Sequence, residues 1–299
     1  MPARGRTLTL WIVTLVLVLA AVAYQRRTGP TYPYRTSITV APGETTNARL
    51  VRSAETTADA DVIIPSPGGA VSGTLFWRRY PTQDAWTAVP LRLRTDNGTS
   101  ELVGALPRQA AAGKVEYRLE LASRAGAQQV PAAPNADGDF IVMRFKDPVP
   151  LGILLPHIVM MFLGLLFGLR AGLGAVLGHD GWQRYALPTA VCLTIGGMVL
   201  GPIVQKYAFG AYWTGFPFGS DLTDNKTLAG WLGWVLTAVA VKSLTGVRAS
   251  WARPLAIIST LVMLSIYLIP HSLRGSQLDY DRLQQQGGAN PHSAIGTGR

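Results

Sequence analysis

The sequence predicts a multi-domain membrane protein with an N-terminal transmembrane anchor, an all-β sandwich outside the cytoplasm and a C-terminal bundle of four transmembrane helices. Apolar residues make up 48% of the 299-residue chain, and they gather in five blocks. Between the first and second blocks, short runs alternate apolar and polar residues, as strands do. Two loops between the later blocks are rich in Arg and Lys, which is typical of cytoplasmic loops.

The net charge of +10 does not indicate a nucleic-acid partner. Proteins that bind nucleic acid cluster their cations in a patch, whereas here the Lys and Arg residues are scattered and many lie beside apolar blocks. Cations in such places set membrane orientation or contact anionic lipid. The single cysteine, Cys192, lies inside an apolar block, so we expect a small buried side chain there.

Residues 1–29 are predicted to form the transmembrane anchor. Arg4 and Arg6 precede an apolar run over 8–24, which is the layout of a signal sequence. A small-x-small cleavage site at 21–23 leaves removal by signal peptidase open. The run is long for a signal peptide and just long enough to span a bilayer, which favours a retained anchor. In either case the following residues are exported.

Residues 30–147 are predicted to form a β-sandwich. β-Rich runs between turn residues lie at 36–40, 61–64, 73–80, 86–94, 114–122 and 140–145. In the run VEYRLEL, which begins at Val115, apolar and charged residues alternate, as in a strand with one solvated face. Several such strands without a helical pattern favour a sandwich.

The approach to the strand at Tyr117 resembles the corner before the sixth strand of immunoglobulin-like and fibronectin type III domains. Leu106 and Pro107 are followed by Gly113 and then by Tyr117. In those domains a tyrosine hydroxyl bonds to nearby backbone. The resemblance implies a structural or docking module rather than an enzyme.

Residues 148–273 are predicted to form the four-helix bundle, with apolar blocks at 151–169, 186–208, 228–244 and 254–270. Each block suits a bilayer about 30 Å thick. Gly164, Gly168 and Gly172 share one helix face, and we interpret this stripe as a packing surface. Residues 274–299 are polar and rich in Gln and Gly, which predicts a disordered tail.

The distribution of cations predicts the orientation. Loops 170–185 and 242–253 carry five Arg and Lys residues between them, whereas loop 209–227 carries only Lys226. Because excess cations mark the cytoplasmic side, we expect a multi-pass protein of the cytoplasmic (inner) membrane. Its N-terminus would lie inside, and its β domain and C-terminus outside.

This orientation brings a set of polar and aromatic residues to the outer face. His157 lies near the outer end of the first bundle helix, and His271 lies just past the outer end of the last one. Two such imidazoles can ligate a metal or haem iron, and polar residues within a membrane are often functional. The alternative is that the histidines and aromatic residues bind no ligand and lie in the headgroup region of the bilayer. The remaining candidates lie beside or within loop 210–227: Gln205, Tyr212, Trp213, Asp221, Asp224 and Lys226.

The loop also resembles the tryptophan-rich outer loop of cytochrome c assembly proteins that handle haem. The resemblance rests on Phe209-Gly210-Ala211-Tyr212-Trp213, then an acidic residue, then Lys226-Thr227 and a Trp-containing helix. In that family two outer-face histidines flank the loop, positions that His157 and His271 fill here. The resemblance implies haem b as a cofactor, with Tyr212 and Trp213 packing on it.

Three functions remain open. The first is a non-enzymatic accessory or assembly component of a membrane complex, whose β domain docks a protein partner outside the membrane. The second is a haem-binding or redox-handling membrane protein, with a metal, a quinone or a proton relay as other uses of the histidines. The third is an enzyme that acts on a lipid or an exported substrate. The sequence contains no GxSxG, Walker or HExxH motif.

Overall fold

The computed structural model describes residues 3–96, 98–132, 134–135, 138–243, 250–269, 275–288 and 290–297. The chain divides into two compact units. A helical unit contains Met1–Pro30, Val149–Ser276 and Thr297–Arg299, and a β-rich unit contains Thr31–Pro148 and Gln277–Gly296. The β-rich residues and the apolar helical residues therefore lie in separate units.

The β-rich unit contains several sheets, as the sequence predicted. Its strands are β1 Tyr34–Ala41, β2 Glu44–Leu50, β3 Ser53–Glu55, β4 Ala60–Pro65, β5 Val71–Arg79, β6 Thr87–Pro90, β7 Arg92–Asp96, β8 Thr99–Leu106, β9 Lys114–Ser123, β10 Gly126–Val130 and β11 Ile141–Lys146. One sheet has the order β3-β11-β9-β5-β6, with β10 also on β9; a second has the order β4-β8-β7, and β1 pairs with β2. The β3–β11 pair is parallel.

The core of the β-rich unit follows the two-residue period of the sequence. In β9, Val115, Tyr117, Leu119 and Leu121 are all buried in one apolar cluster with residues from the facing strands. The opposite face is less exposed than the alternation suggested, because Glu116 is only 2% exposed and pairs with Arg78. Burial raises the pKa of the Glu116 carboxyl, and the hydrogen bond from Arg78 opposes that rise.

The β-rich run that the sequence showed at 86–94 is divided in the structure. It contains two strands that belong to different sheets, because β6 pairs with β5 and β7 pairs with β8. The chain crosses between the sheets at Leu91, whose N–H donates to the Gly73 carbonyl. Pro90 ends β6 at this point, and proline lacks the N–H that a continuous ladder requires.

The C-terminal segment also differs from the prediction of a disordered tail over 274–299. It contains β12 Ser276–Leu278, helix Tyr280–Gln285 and β13 Ile295–Thr297. Leu278, Tyr280 and Ala294 form a small buried cluster, and the Tyr280 hydroxyl donates to the Lys114 carbonyl at 2.9 Å. The segment is mostly polar, so its few apolar residues did not indicate in the sequence that they would form a buried cluster.

Among the described residues, three helical segments are long and apolar enough to cross a membrane: Thr7–Thr28, Leu151–Val176 and Trp182–Phe209. A shorter apolar helix spans Ala252–Leu268. The helices in the described ranges are α1 Ala3–Thr28, α2 Leu151–Val176, α3 Ala186–Leu193, α4 Gly201–Phe209, α5 Leu222–Ser243, α6 Ala252–Leu268 and α7 Tyr280–Gln285. This composition fits a membrane protein.

The glycine stripe of α2 lies where neighbouring side chains approach closely. A Cβ atom added at Gly164 would lie 3.0 Å from Leu193, one at Gly168 would overlap Met263, and one at Gly172 would overlap Thr260. These positions therefore have no room for a larger residue. The stripe packs α2 against α3 and α6, as small residues do between membrane helices.

Candidate functional site

The imidazole of His157 is held by a backbone carbonyl on a neighbouring helix. His157 lies in the second turn of α2, and its Nδ1 is 2.8 Å from the Gly196 carbonyl oxygen. Since a carbonyl only accepts hydrogen bonds, Nδ1 carries the proton and donates. In the neutral ring the Nε2 lone pair is then left for another partner. Histidines that bind metals are commonly oriented in this way.

The accepting carbonyl belongs to a π-helical turn. Residues Thr194–Leu200 form this turn between α3 and α4, and the Gly201 N–H donates to the Gly196 carbonyl. Pro202 follows directly, and it has no N–H to donate to residue 198 in α-helical register. The wider turn resolves this conflict. A Cβ at Gly196 would lie 2.8 Å from the Met160 Cβ, so the glycine allows the close approach to α2.

The loop between α4 and α5 is organised around a buried carboxylate. One oxygen of Asp224, Oδ2, accepts from the backbone N–H groups of Thr214 at 2.7 Å and of Gly215 at 2.9 Å. The next residue, Asn225, accepts from the Phe216 N–H at 2.6 Å through Oδ1. Three successive backbone donors of the loop are thereby fixed by the first turn of α5.

A second buried carboxylate, that of Asp221, extends this network. Its Oδ1 accepts from the Thr223 N–H at 2.8 Å, as an N-cap does, and its Oδ2 accepts from the Thr214 hydroxyl at 3.0 Å. Gln205 donates from Nε2 to the Thr214 hydroxyl oxygen at 2.7 Å. The Ser276 hydroxyl lies 3.5 Å from Asp221 Oδ2. The side chains of Gln205, Thr214, Asp221 and Ser276 therefore form one hydrogen-bonded network.

Lys226 is buried and hydrogen-bonds to the C-terminal end of another helix. Its ammonium donates to the carbonyl of Ile269 at 3.1 Å, and Ile269 is the C-cap residue of α6. A cation at a helix C-terminus is stabilised by the helix dipole. This contact ties the start of α5 to the end of α6.

The aromatic residues of the loop point away from this polar network. Tyr212, Phe216 and Phe218 are 59%, 67% and 81% exposed. Trp213 is fixed by a 3.0 Å hydrogen bond from its Nε1 to the Phe216 carbonyl. The ammonium of Lys206 lies 5.5 Å from the centre of the Tyr212 ring. The loop therefore has a fixed polar base and an exposed aromatic rim.

The structure brings part of the predicted site together. Gln205, Asp221 and Asp224 share one network through Thr214. His157 bonds to the π-helical turn, and the next residue of that turn, Gly197, lies against Thr227 of α5. His271 lies outside the described residues, so the predicted histidine pair stays a prediction. Within the described ranges, no three His, Cys, Asp or Glu side chains are grouped to hold a metal ion.

Sequence reasoning missed two members of the network, Thr214 and Ser276. Both act through hydroxyl groups that connect residues far apart in the chain. A short-range signal existed only for Asp221, which precedes α5 at the N-cap position. Comparison with models of known protein families and with curated proteins found no match to this chain.

Proposed function

We propose that this protein is a non-enzymatic integral membrane protein, an accessory or assembly component of a membrane complex. Its β-rich unit acts as an immunoglobulin-like docking domain outside the membrane. The observation that carries this proposal is the strand order of that unit. Such domains present surfaces to partners, whereas catalysis on them is uncommon.

The strand order supports the immunoglobulin-like assignment. In that fold, strands B, E and D lie in one sheet and strands C, F and G lie in the other. Here β4-β8-β7 matches B-E-D, and β5, β9 and β11 match C, F and G. The chain passes between the sheets from β4 to β5 and again from β8 to β9. Tyr117 lies near the start of β9, the position of the conserved tyrosine in strand F. Its hydroxyl departs from the predicted corner, because it donates to Val51 between β2 and β3 rather than to nearby backbone.

The chain connectivity supports the predicted placement of the β domain and the C-terminal segment on one side of the membrane. The β-rich unit is built from Thr31–Pro148 and Gln277–Gly296, so both lie on the same side of a membrane. The segment between them must then cross an even number of times. Two of the long apolar helical segments, Leu151–Val176 and Trp182–Phe209, lie in it and supply two crossings. For the total to stay even, α5 and α6 must either both cross the membrane or both not cross it. We propose that both cross, which gives four bundle helices, and that α1 adds a fifth span from a cytoplasmic N-terminus.

Cysteine accessibility in intact cells tests this topology. The single native cysteine, Cys192, is replaced by alanine to give an unreactive background. Cysteines at Ser123 and Gln285 should then react with a membrane-impermeant maleimide, whereas one at His179 should react only after the membrane is opened. Labelling of Ser123 and Gln285 on different sides contradicts the even number of crossings.

The docking role is tested by photo-crosslinking in cells. A crosslinking amino acid is placed at Leu93, which is 55% exposed on β7, and at Phe218 in the loop. We expect a discrete adduct with another protein from at least one position, and none from the buried control position Leu119. Adducts only with lipid or with a second copy of the chain contradict the accessory role.

A second function, haem binding, is favoured by one observation. The Nε2 lone pair of His157 is left available by the hydrogen bond to Gly196, and such a nitrogen can ligate haem iron. In this proposal His157 and His271 would hold the iron, and Tyr212 and Trp213 would pack beside the porphyrin. Bound haem would supply electron-transfer chemistry.

An absorbance spectrum of the purified protein decides between the two functions. Haem binding predicts a Soret band that His157→Ala abolishes. The matched control, His292→Ala, changes an exposed histidine of the C-terminal segment and should leave the band intact. A spectrum without a Soret band after purification and after incubation with haem rejects haem binding.

A further inference from the structure

We infer that helix α1 is retained in the mature protein, because it completes an aromatic cage around the buried cation of Arg170. This inference resolves whether the apolar N-terminal segment is a signal peptide or an anchor. It does not depend on the docking or haem-binding proposals.

Arg170 is the cation that needs the cage. The sequence predicted Arg170 in the loop 170–185, but it lies within α2, which extends to Val176, and it is 0% exposed. Across the described part of the chain, none of its three guanidinium nitrogens has a hydrogen-bond partner. A buried charge without partners is strongly unfavourable, and more so within a bilayer. Another interaction must therefore offset its burial.

Two aromatic rings supply that interaction. The guanidinium carbon lies 5.6 Å from the centre of the Trp11 ring and 5.0 Å from the centre of the Tyr185 ring. The two rings are perpendicular, with centres 5.5 Å apart. The Phe167 ring stacks on Tyr185, with ring centres 6.5 Å apart. Ring faces attract cations, most strongly where water is excluded.

Trp11 belongs to α1, and the rest of that helix is shaped to fit the bundle. Leu10, Thr14 and Val18 are buried, and their spacing of four places them on one helix face. The opposite side exposes large apolar side chains, as expected of a face toward lipid: Ile12, Val13, Leu15, Val16 and Leu19. A helix that is only a transient signal needs no such two-sided pattern.

A hydrogen bond near the start of α1 adds a second attachment. His179 Nδ1 lies 2.8 Å from the Asp180 carbonyl and so carries its proton. His179 Nε2 therefore accepts from the Thr7 hydroxyl at 3.2 Å. Because Thr7 and Trp11 are four residues apart, both contacts come from neighbouring turns of α1.

Cleavage after residue 23 would remove every one of these contacts. Arg170 would lose its contact with the Trp11 ring, keep only the contact with the Tyr185 ring and face the bilayer. The scissile bond also lies within a continuous helix, since α1 extends to Thr28, and Ala21 and Val22 pack against the bundle core. Proteases cut exposed, flexible segments in preference to packed helices.

The first test is the N-terminus of the protein as cells make it. Full-length protein with a C-terminal tag is purified from membranes, and its intact mass and N-terminal sequence are determined. We expect a chain that still contains residues 7–23. A mature chain that begins at Tyr24 overturns the inference, whatever the behaviour of any variant.

The second test asks whether the cage holds α1. Trp11→Leu keeps the helix apolar but removes the ring, and we expect it to lower the melting temperature in detergent by about 2–4 °C. Trp11→Phe should retain most of the stability. Leu15→Ala is the control on the lipid-facing side, because Leu15 is 51% exposed.

Combining the variants with Arg170→Met separates the cage from ordinary packing. If the ring acts on the cation, Trp11→Leu should have little effect once Arg170 is replaced. An equal loss in both backgrounds overturns the cage. If the Arg170→Met protein does not accumulate, the melting temperatures of Trp11→Phe and Trp11→Leu are compared in the native background. Equal losses of melting temperature in these two variants contradict a role for the ring.

Discussion

Removal of the Tyr117 hydroxyl tests how the β-rich unit is held together. Tyr117 is fully buried, and its hydroxyl donates to the Val51 carbonyl at 2.7 Å. Val51 lies between β2 and β3, so this bond ties distant parts of the unit rather than a local corner. Tyr117→Phe keeps the ring but leaves the carbonyl without this donor. We expect a loss of about 1–1.5 kcal/mol of unfolding free energy.

Hydrogen exchange of the full-length protein measures this loss within the β-rich unit. The expected change corresponds to roughly five- to tenfold faster exchange of the most protected β9 amides, since 1.4 kcal/mol is a factor of ten. Tyr34→Phe is the matched control, because within the described residues the Tyr34 hydroxyl makes no hydrogen bond. Equal exchange in the two variants would refute the reasoning.

Three further predictions concern other contacts. The hydrogen bond from Arg79 lowers the pKa of the Asp84 carboxyl. The pair therefore contributes its full share of folding stability above the usual pKa of about 3.9, and this share is lost as the pH falls through the lowered pKa. Asp84→Asn should remove that acid dependence at a cost below about 1 kcal/mol; unfolding followed against pH checks this, and an unchanged acid limb contradicts it. Gly196→Ala should lower thermal stability by about 1–3 kcal/mol, because its Cβ would meet Met160 at 2.8 Å; an unchanged melting temperature contradicts that close approach. Tyr280→Phe should speed proteolytic release of the C-terminal segment, and unaltered cleavage contradicts its role as an anchor.

The sequence predicted the elements whose signal is local. Alternation around Tyr117 identified β9, and the apolar blocks at 8–24, 151–169 and 186–208 identified the three helices long enough to cross a membrane. Membrane crossing by the blocks at 228–244 and 254–270 stays a prediction. The division of the run at 86–94 into β6 and β7 was not predicted, because both halves have strand composition and only pairing with different partners separates them. Glu116 was expected to be solvated, but Arg78 from the adjacent strand covers it, and a one-dimensional pattern does not contain that neighbour.

The sequence did not predict the interactions within the candidate loop. The loop was selected for its aromatic and acidic residues, and the structure uses Asp221 and Asp224 to bind the loop backbone. Thr214 carries no sequence signal, because its role depends on meeting both carboxylates after folding. The cage around Arg170 was also missed, since Trp11 and Arg170 are distant in sequence and each resembles an ordinary interfacial residue.

The two-part construction of the β-rich unit has a consequence for biogenesis. Its last residues, 277–296, are synthesised after the helices of the helical unit, so the β-rich unit cannot be completed when residues 31–148 have been made. Leu278 and Tyr280 then contact Ala112 and Lys114. In the proposed topology, these contacts require residues 149–276 to have crossed the membrane an even number of times. A chain with an odd number of crossings would leave its C-terminal segment on the other side of the membrane and the β-rich unit incomplete.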